Sequence, residues 1–409
     1  MKNEDELKII FNLPKDKTEH IIKVIGVGGG GSNAVKNMYE TGITNVSFVI
    51  CNTDSQALSK SPVPIKVQLG DIGLGVGGDP QKGREEAEKS INELEKLFDD
   101  ETQMVFITAG MGGGTGTGAS PVIAQIARKR GLLTIGVVTL PFVFEKRTRI
   151  EKALAGIEEL KQNVDALLVI NNERLLEIYD DNSTTIVEAF KRGNEVLTTA
   201  TKTIAEIITE EGIINRDFCD VKTVMENSGA AIVSTGYAEG DNRILRAMTD
   251  ALRSPLLNTI DIEKTQRLLY IFYQSEESPI TVSELTNINQ FMDTLPPDIL
   301  GLWGLYSDES LGKKVKVAII ATGFDQPKME DEVSRSEDKL RSIKALEEFY
   351  YPNRKSRTTK TDAPEEAITV KPDNLLHKEN GIPMQTEHSW IKKIIDFAKK
   401  SLEEEEEED

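Results

Sequence analysis

The sequence predicts an α/β protein. A doubly wound, mainly parallel-sheet domain is joined by a long central helix to a smaller α+β domain, and a disordered C-terminal linker and tail follow. Three observations predict it. From about Ile21 to Leu176, short β-branched apolar runs alternate with amphipathic stretches, the pattern of strand–helix–strand units. From Thr184 to Glu211 one long stretch carries Ile186, Phe190, Leu197, Ile204 and Ile208 at helical spacing. A second set of strand-like runs follows, with two helical stretches between them, and apolar periodicity stops beyond Phe324.

In chain order, "IIKVIGV", "NVSFVIC", "QMVFITA", "LLTIGVVTL" and "DALLVI" read as the strands of the first domain, several of them apolar throughout. Continuous apolar runs suit a parallel sheet covered on both faces, with ligands at the carboxyl ends of its strands. After the central helix, "GAAIVSTGYAEG", "TQRLLYIFYQ", "GLWGLYS" and "KKVKVAIIATG" supply the second sheet. The chain thus divides into an N-terminal extension (1–20), a first domain (21–183), the central helix (184–212), a connecting loop (213–220), a second domain (221–324), a flexible linker (325–388) and a tail (389–409). The linker is assigned on its charge and its lack of apolar period.

A chain of 409 residues with 38% hydrophobic content can bury a core of two domains. Its formal charge is −19, with seven charges in the terminal "EEEEEED", so −12 remains elsewhere. Such a body repels phosphates, which argues against non-specific binding to nucleic acid or to an anionic membrane. Cys51 and Cys219 lie far apart and give no disulfide framework, which fits a reducing, cytoplasmic setting. Three scattered histidines offer no zinc constellation, and no metal-ligating set is assigned. The N-terminal "MKNEDELKIIFNLPKDKTEH" has neither the apolar core of a signal peptide nor that of a transmembrane anchor. Work at a membrane would need another molecule to bring the chain there.

Three glycine stretches carry the chemistry. Gly26, Gly28 and Gly31 of "GVGGGGS" fit G-x-G-x-x-G between a strand and a helix, with Asp54 ending the next strand as a ribose-binding acid would. Alone, this supports a nicotinamide dehydrogenase. A second stretch, "GMGGGTGTG", has no Walker lysine, yet it too joins a strand to a helix. Successive N–H groups of such a loop can point into one concavity and bind phosphate oxygens, with Thr115 and Thr117 adding hydroxyls. "GDIGLGVGGDP", Gly70 to Pro80, is a third. Three converging turns suit a triphosphate better than a pyrophosphate. The bland account is that each only makes a tight turn.

"GGGTGTG" is the signature of the tubulin and FtsZ superfamily, and "IKVIGVGGGGSNAV", "CNTDSQAL", "PFVFEKRTR", "NRDFCDV" and "IATGF" match its bacterial branch in order, from Ile22 to Phe324. The sequence resembles the FtsZ family. The resemblance implies a GTPase that polymerises head to tail and forms the cytokinetic ring of dividing bacteria, binding GTP or GDP with Mg²⁺. It implies that Gly29, Gly30, Gly31, Ser32 and Asn33, with Gly112, Gly113, Gly114, Thr115, Gly116 and Thr117, bind the phosphates. The loop Gly75 to Gly78, including Gly77 and Gly78, senses the γ-phosphate, and Glu145 and Arg149 lie near the ribose. The plain alternative for those two is an i, i+4 ion pair on a helix. Guanine falls to Phe190, Asn194 and Asn172. Phe190 and Asn194 share one helix face by spacing, and a buried Asn without a partner would be satisfied by a purine edge.

Asp217 and Asp220, with Asn215 beside them, resemble the acidic residues that the family inserts into the next subunit's pocket. A carboxylate there can orient and polarise the attacking water. The structural alternative is that Asp217 caps the helix starting at Phe218. Ser32, Asp79 and Cys219 depart from the usual residues, glycine, asparagine and alanine; Asp79 can cap the helix beginning at Pro80. At the C-terminus, "NGIPMQ" only partly matches the family's docking peptide for membrane-tethering and regulatory division proteins. "SWIKKIIDFAKKSL" can gather Trp390, Ile391, Ile394, Ile395, Ala398 and Leu402 on one side, for a partner's groove rather than acidic lipid, or as a merely nascent helix. A filament that binds GTP without hydrolysing it remains the nearer rival to a GTPase.

Overall fold

The structure, a computed structural model, describes residues 20–173, 185–214, 216–252, 265–293 and 298–324. The N-terminal extension, Asn215, and the linker and tail assigned above lie outside the described residues. The first half contains strands β1 (Ile22–Val27), β2 (Val46–Asn52), β3 (Ile65–Gln68), β4 (Met104–Gly110), β5 (Leu133–Leu140) and β6 (Ala166–Asn171). Between them run helices α1 (Gly28–Glu40), α2 (Ser55–Lys60), α3 (Pro80–Lys89), α4 (Ile91–Lys96), α5 (Thr115–Lys129) and α6 (Arg147–Lys161). Helix α7 (Ile186–Thr209) leads to α8 (Phe218–Met225), then β7 (Gly229–Glu239), α9 (Arg243–Leu252), β8 (Arg267–Gln274), α10 (Val282–Asp293), β9 (Leu300–Ser307) and β10 (Lys314–Phe324).

Every residue of β1 is buried, and successive side chains serve opposite layers, as a strand covered on both faces requires. Ile22 and Val24 pack with Ala34, Val35 and Met38 of α1 and with Leu197 and Ile204 of α7. Ile25 and Val27 pack instead with Ile123, Ala124 and Ala127 of α5 and Ile157 of α6. A third core holds α9, through Ala247, Met248 and Ala251, against β8 and β10.

The two sheets expected from the sequence are joined. All ten strands form one sheet in the order β3-β2-β1-β4-β5-β6-β7-β10-β8-β9. The first six are parallel, and their order reverses at β1 and β4, the switch point where ligands bind in doubly wound sheets. The seam is narrow: β6 and β7 pair over two positions, Ala166 with Gly229 and Leu167 with Ala230. Beyond it, β7, β10 and β8 are antiparallel, and β9 closes the sheet parallel to β8. Helix α7 spans the seam, because its side of the sheet collects Ile135 and Leu168 from one half and Leu269, Ile271, Ala318 and Ile320 from the other. Among the described residues, no helix is long and apolar enough to cross a membrane.

Candidate functional site

Helix α1 follows β1 directly and α5 follows β4 after the short loop Met111 to Gly114, side by side at the switch point. Among the described residues five helices open on a side-chain cap: α2 on Asp54, α3 on Asp79, α7 on Thr185, α8 on Asp217 and α10 on Thr281. Neither α1 nor α5 has one, so their first N–H groups are available to a ligand. The glycines sit further inside the helices than the turn reading placed them. Gly28 to Gly31 form the first turn of α1, and Thr115 to Gly118 that of α5, six residues before the Pro121 at which helical spacing becomes legible.

Two glycines show why the loops carry no side chains. Gly28 has φ +69°, and a Cβ there would lie 2.6 Å from the Gly116 nitrogen. At Gly114, a Cβ would lie 2.5 Å from Cγ2 of Val76 and 2.9 Å from the Asp79 nitrogen. All three glycine stretches therefore converge. Around that point the space beside Gly29, Gly77, Gly78 and Gly113 is open, with no atom within 4 Å of where a Cβ would stand. Bare backbone facing open space beside two uncapped helix N-termini is a cradle for an anion.

The other proposed phosphate residues lie in or beside this cradle. Asn33 is exposed; Ser32 is buried, and its Oγ has no partner among the described residues. Thr115 shares a 2.7 Å hydroxyl–hydroxyl hydrogen bond with Thr53, and Thr117 Oγ1 accepts the Gly112 N–H at 2.8 Å. These two hydroxyls thus hold the loop in shape. Asp79 accepts the Gln81 N–H as the cap of α3, and Lys152 donates to the Gly78 carbonyl at 2.8 Å. Asp54, read as a ribose acid in the dehydrogenase alternative, has its carboxylate turned to the Gln56 and Ala57 N–H groups. Its role is that of a helix cap.

Beyond the end of β5, Glu145 accepts from the Phe142 N–H at 2.9 Å and pairs with Arg149 at 2.8 Å. The pair does not lie on one helix: Glu145 closes a 3-10 turn, Val143–Glu145, and Arg149 belongs to α6. Phe190 is 42% exposed at the start of α7, its ring edge-on to Phe142 at 4.9 Å, and Phe142 stacks on Phe144 at 5.0 Å. Asn172 is buried at the end of β6, and its Oδ1 has no partner among the described residues. A Cβ at Gly193 would lie 2.9 Å from that oxygen, so α7 brings Phe190 and half-buried Asn194 beside it. An apolar face next to an unpaired amide oxygen suits a flat heterocycle with a donor edge. Thr53, Phe142, Phe144 and Lys152 were not singled out in the sequence, although Thr53 lay in the quoted motif "CNTDSQAL" and Phe142 and Phe144 in "PFVFEKRTR".

Asp217 and Asp220 are elsewhere. They form a reciprocal capping box at the start of α8, Asp217 Oδ1 accepting the Asp220 N–H at 2.9 Å. The preceding segment lies on β9, where Ile214 and Leu305 exchange both backbone hydrogen bonds, at 3.1 and 3.2 Å. Tyr306 Oη donates to the Ile207 carbonyl and accepts the Arg216 N–H, which fixes this segment to the far end of α7. From Phe190 to Ile207 the helix rises about 25 Å, so the cradle and the acids occupy opposite ends of one rod.

A cavity of about 400 Å³ between α3, α4, α5 and α6 touches none of these residues, and its Arg84 is already paired with Glu88 and Glu159.

Comparison with known proteins places these features in a family. The model of the Tubulin/FtsZ family GTPase domain matches residues 21–180, and that of the FtsZ family C-terminal domain matches 229–325. A curated cell division protein FtsZ from Porphyromonas gingivalis is 52% identical over 326 residues, 79% of this chain and 71% of that protein. Among solved structures, an empty FtsZ dimer from M. jannaschii is 38% identical, with a TM-score of 0.69 over 79% of this chain and 92% of that one. A GTPγS-bound protofilament of CetZ2 from Haloferax volcanii shares the fold alone, at 19% identity and a TM-score of 0.64, covering 80% of this chain and 98% of that one.

Proposed function

The chain belongs to the FtsZ family of tubulin-like cell-division GTPases, and from that membership we propose that it binds GTP in the cradle and assembles head to tail into cytokinetic filaments, hydrolysing the nucleotide with acids from the adjacent subunit. One observation carries the reading. The uncapped, glycine-lined cradle and the box of exposed Asp217 and half-buried Asp220 sit at opposite ends of α7, about 25 Å apart along its axis. Acids that far from their own pocket can reach a nucleotide only in another molecule.

In this reading Gly29 to Asn33 and Gly112 to Thr117 hold the phosphates, through the free N–H groups at the starts of α1 and α5, and Ser32 Oγ gains a partner. Gly77 and Gly78 meet the γ-phosphate, Glu145 and Arg149 the ribose, and Phe190, Asn194 and Asn172 the guanine. Asn172 Oδ1, buried and without a partner among the described residues, is suited to accept from the base's N–H edge. Mg²⁺, when bound, offsets charge on the phosphates. Asp217 and Asp220, with Asn215, orient the attacking water. Assembly takes place in the cytoplasm at the inner face of the division site. The segment 389–402 docks onto a membrane-tethering or regulatory protein there.

Phosphate release measured across protein concentrations, alongside light scattering with GTP and with GDP, tests this. Release is expected to rise more steeply than linearly with protein, and Asp220→Ala to assemble with GTP but hydrolyse little. Strict proportionality to protein would refute hydrolysis across an interface, and polymers of the variant with normal turnover would remove Asp220 from the chemistry.

A further inference from the structure

We propose that Arg216 is a positioning residue for Asp220, holding one oxygen of that carboxylate against its own subunit and leaving the other to meet the attacking water. The inference rests on the reading of Asp220 as a group that acts across the subunit interface.

The Arg216 side chain is half-buried, and its guanidinium bridges two elements. Nε donates to the Trp303 carbonyl of β9 at 2.6 Å, while Nη1 reaches Asp220 Oδ2 at 3.4 Å. The Asp217 N–H approaches the same oxygen, also at 3.4 Å. Both contacts fall on Oδ2, so Oδ1 is the oxygen directed away from this pair. The arginine is itself held firmly: its backbone N–H donates to Tyr306 Oη at 3.0 Å, and Ile214, two residues earlier, is bonded to Leu305. Gly304 makes room for the crossing, since a Cβ there would lie 3.1 Å from both Arg216 Cγ and the Ile214 carbonyl.

The side-chain type follows from this geometry. Ordering a long side chain costs rotamer entropy, which the β9 carbonyl offsets at one end before the carboxylate is engaged. A guanidinium offers separate donors in a fixed fork and can serve Trp303 and Asp220 together, whereas an ammonium concentrates its donors on one nitrogen. Two neighbouring carboxylates facing a triphosphate repel it and each other. A cation on the subunit side of Asp220 offsets part of that charge without occupying the oxygen that faces outward.

The test compares the full chain with Arg216→Leu, Arg216→Lys, Asp220→Ala and the double variant Arg216→Leu/Asp220→Ala. Thermal melting and nucleotide binding monitor the fold, and GTP-dependent light scattering monitors assembly. Phosphate release per polymerised subunit is followed over a range of GTP. Arg216→Leu is expected to melt and assemble like the parent, with kcat lowered about tenfold and the half-saturating GTP concentration unchanged. Arg216→Lys is expected to recover only part of the loss, and the double variant to be no slower than Asp220→Ala. Parental turnover in Arg216→Leu beside a slow Asp220→Ala overturns this inference alone. Parental turnover in Asp220→Ala overturns the underlying reading. An additive loss in the double variant, or failure of both Arg216 variants to assemble while still binding nucleotide, makes Arg216 a support of the fold or interface and likewise overturns the inference.

Discussion

The two cysteines lie in opposite environments. Cys51 is buried in β2, and burial pushes its thiol up to about 12, whereas Cys219 is exposed on α8 between the two acids of the capping box. Only the thiolate is nucleophilic, so a disulfide reagent at pH 8 is expected to titrate one thiol rapidly in the native chain and the second only on unfolding. If α8 faces a neighbouring nucleotide, GTP-driven assembly also slows the Cys219 reaction; an unchanged rate in polymers would count against that placement. Lys23 is an internal charge of another kind. It is 2% exposed in β1 and donates to the Leu97 carbonyl and, at 2.7 Å, to Asp100. Burial lowers the lysine's pKa against the pull of Asp100. Burial also opposes ionisation of Asp100, but the hydrogen bonds from Lys23 and Thr102 prevail and hold its carboxyl below the usual range. A depressed carboxyl contributes stability above its unfolded pKa and loses it as pH falls through the folded one. Asp100→Asn is therefore expected to cost about 1–2 kcal/mol at pH 7. In melts at decreasing pH, its deficit should close as the parent's Asp100 becomes protonated.

Among the elements, α1 and α5 separate what glycine does for the fold from what it does for a ligand. Gly28→Ala forces an L-residue into a left-handed backbone against Gly116 and is expected to destabilise the chain by about 2–4 kcal/mol in denaturant unfolding. Gly29→Ala meets no atom and is expected to leave stability within about 0.5 kcal/mol. Its methyl enters the space assigned to phosphate, so nucleotide affinity falls; unaltered affinity would move the phosphates elsewhere. These two helices also show where sequence reasoning stops. Glycine is a poor helix former, so the pattern places Gly28–Gly31 and Thr115–Gly118 in turns, and tertiary packing of α1 and α5 on opposite faces of the sheet overrides that propensity. Strand β3, four residues long, is too short for its alternation to register. By contrast α7 was legible to within about two residues at each end, because it is long, amphipathic and opens on the Thr185–Glu188 capping box. The caps at Asp79 and Asp217 were readable from local spacing. The Thr53–Thr115 bond was not, since it joins residues that only the parallel sheet brings together.

At the scale of the whole molecule, the sheet is continuous although the sequence reads as two separate domains, because a two-residue parallel pairing such as β6 with β7 leaves no mark on periodicity. The far border of that sheet is β9, "LGLWGLYS", eight residues without a charge or a proline. Such a border ordinarily invites pairing with another chain. Here the Ile214 bridge occupies the N–H and carbonyl of Leu305, and the Arg216 side chain takes the Trp303 carbonyl. The segment that presents the acids thus also seals an adhesive margin. Ile214→Pro, which deletes the donor to Leu305, is expected to give nucleotide-independent, thioflavin-positive aggregates; a variant that stays clear without nucleotide would show that β9 is guarded by something else. Any sequence drift that tunes turnover through this segment is therefore confined by a second demand, that the chain not stick to its own copies side by side.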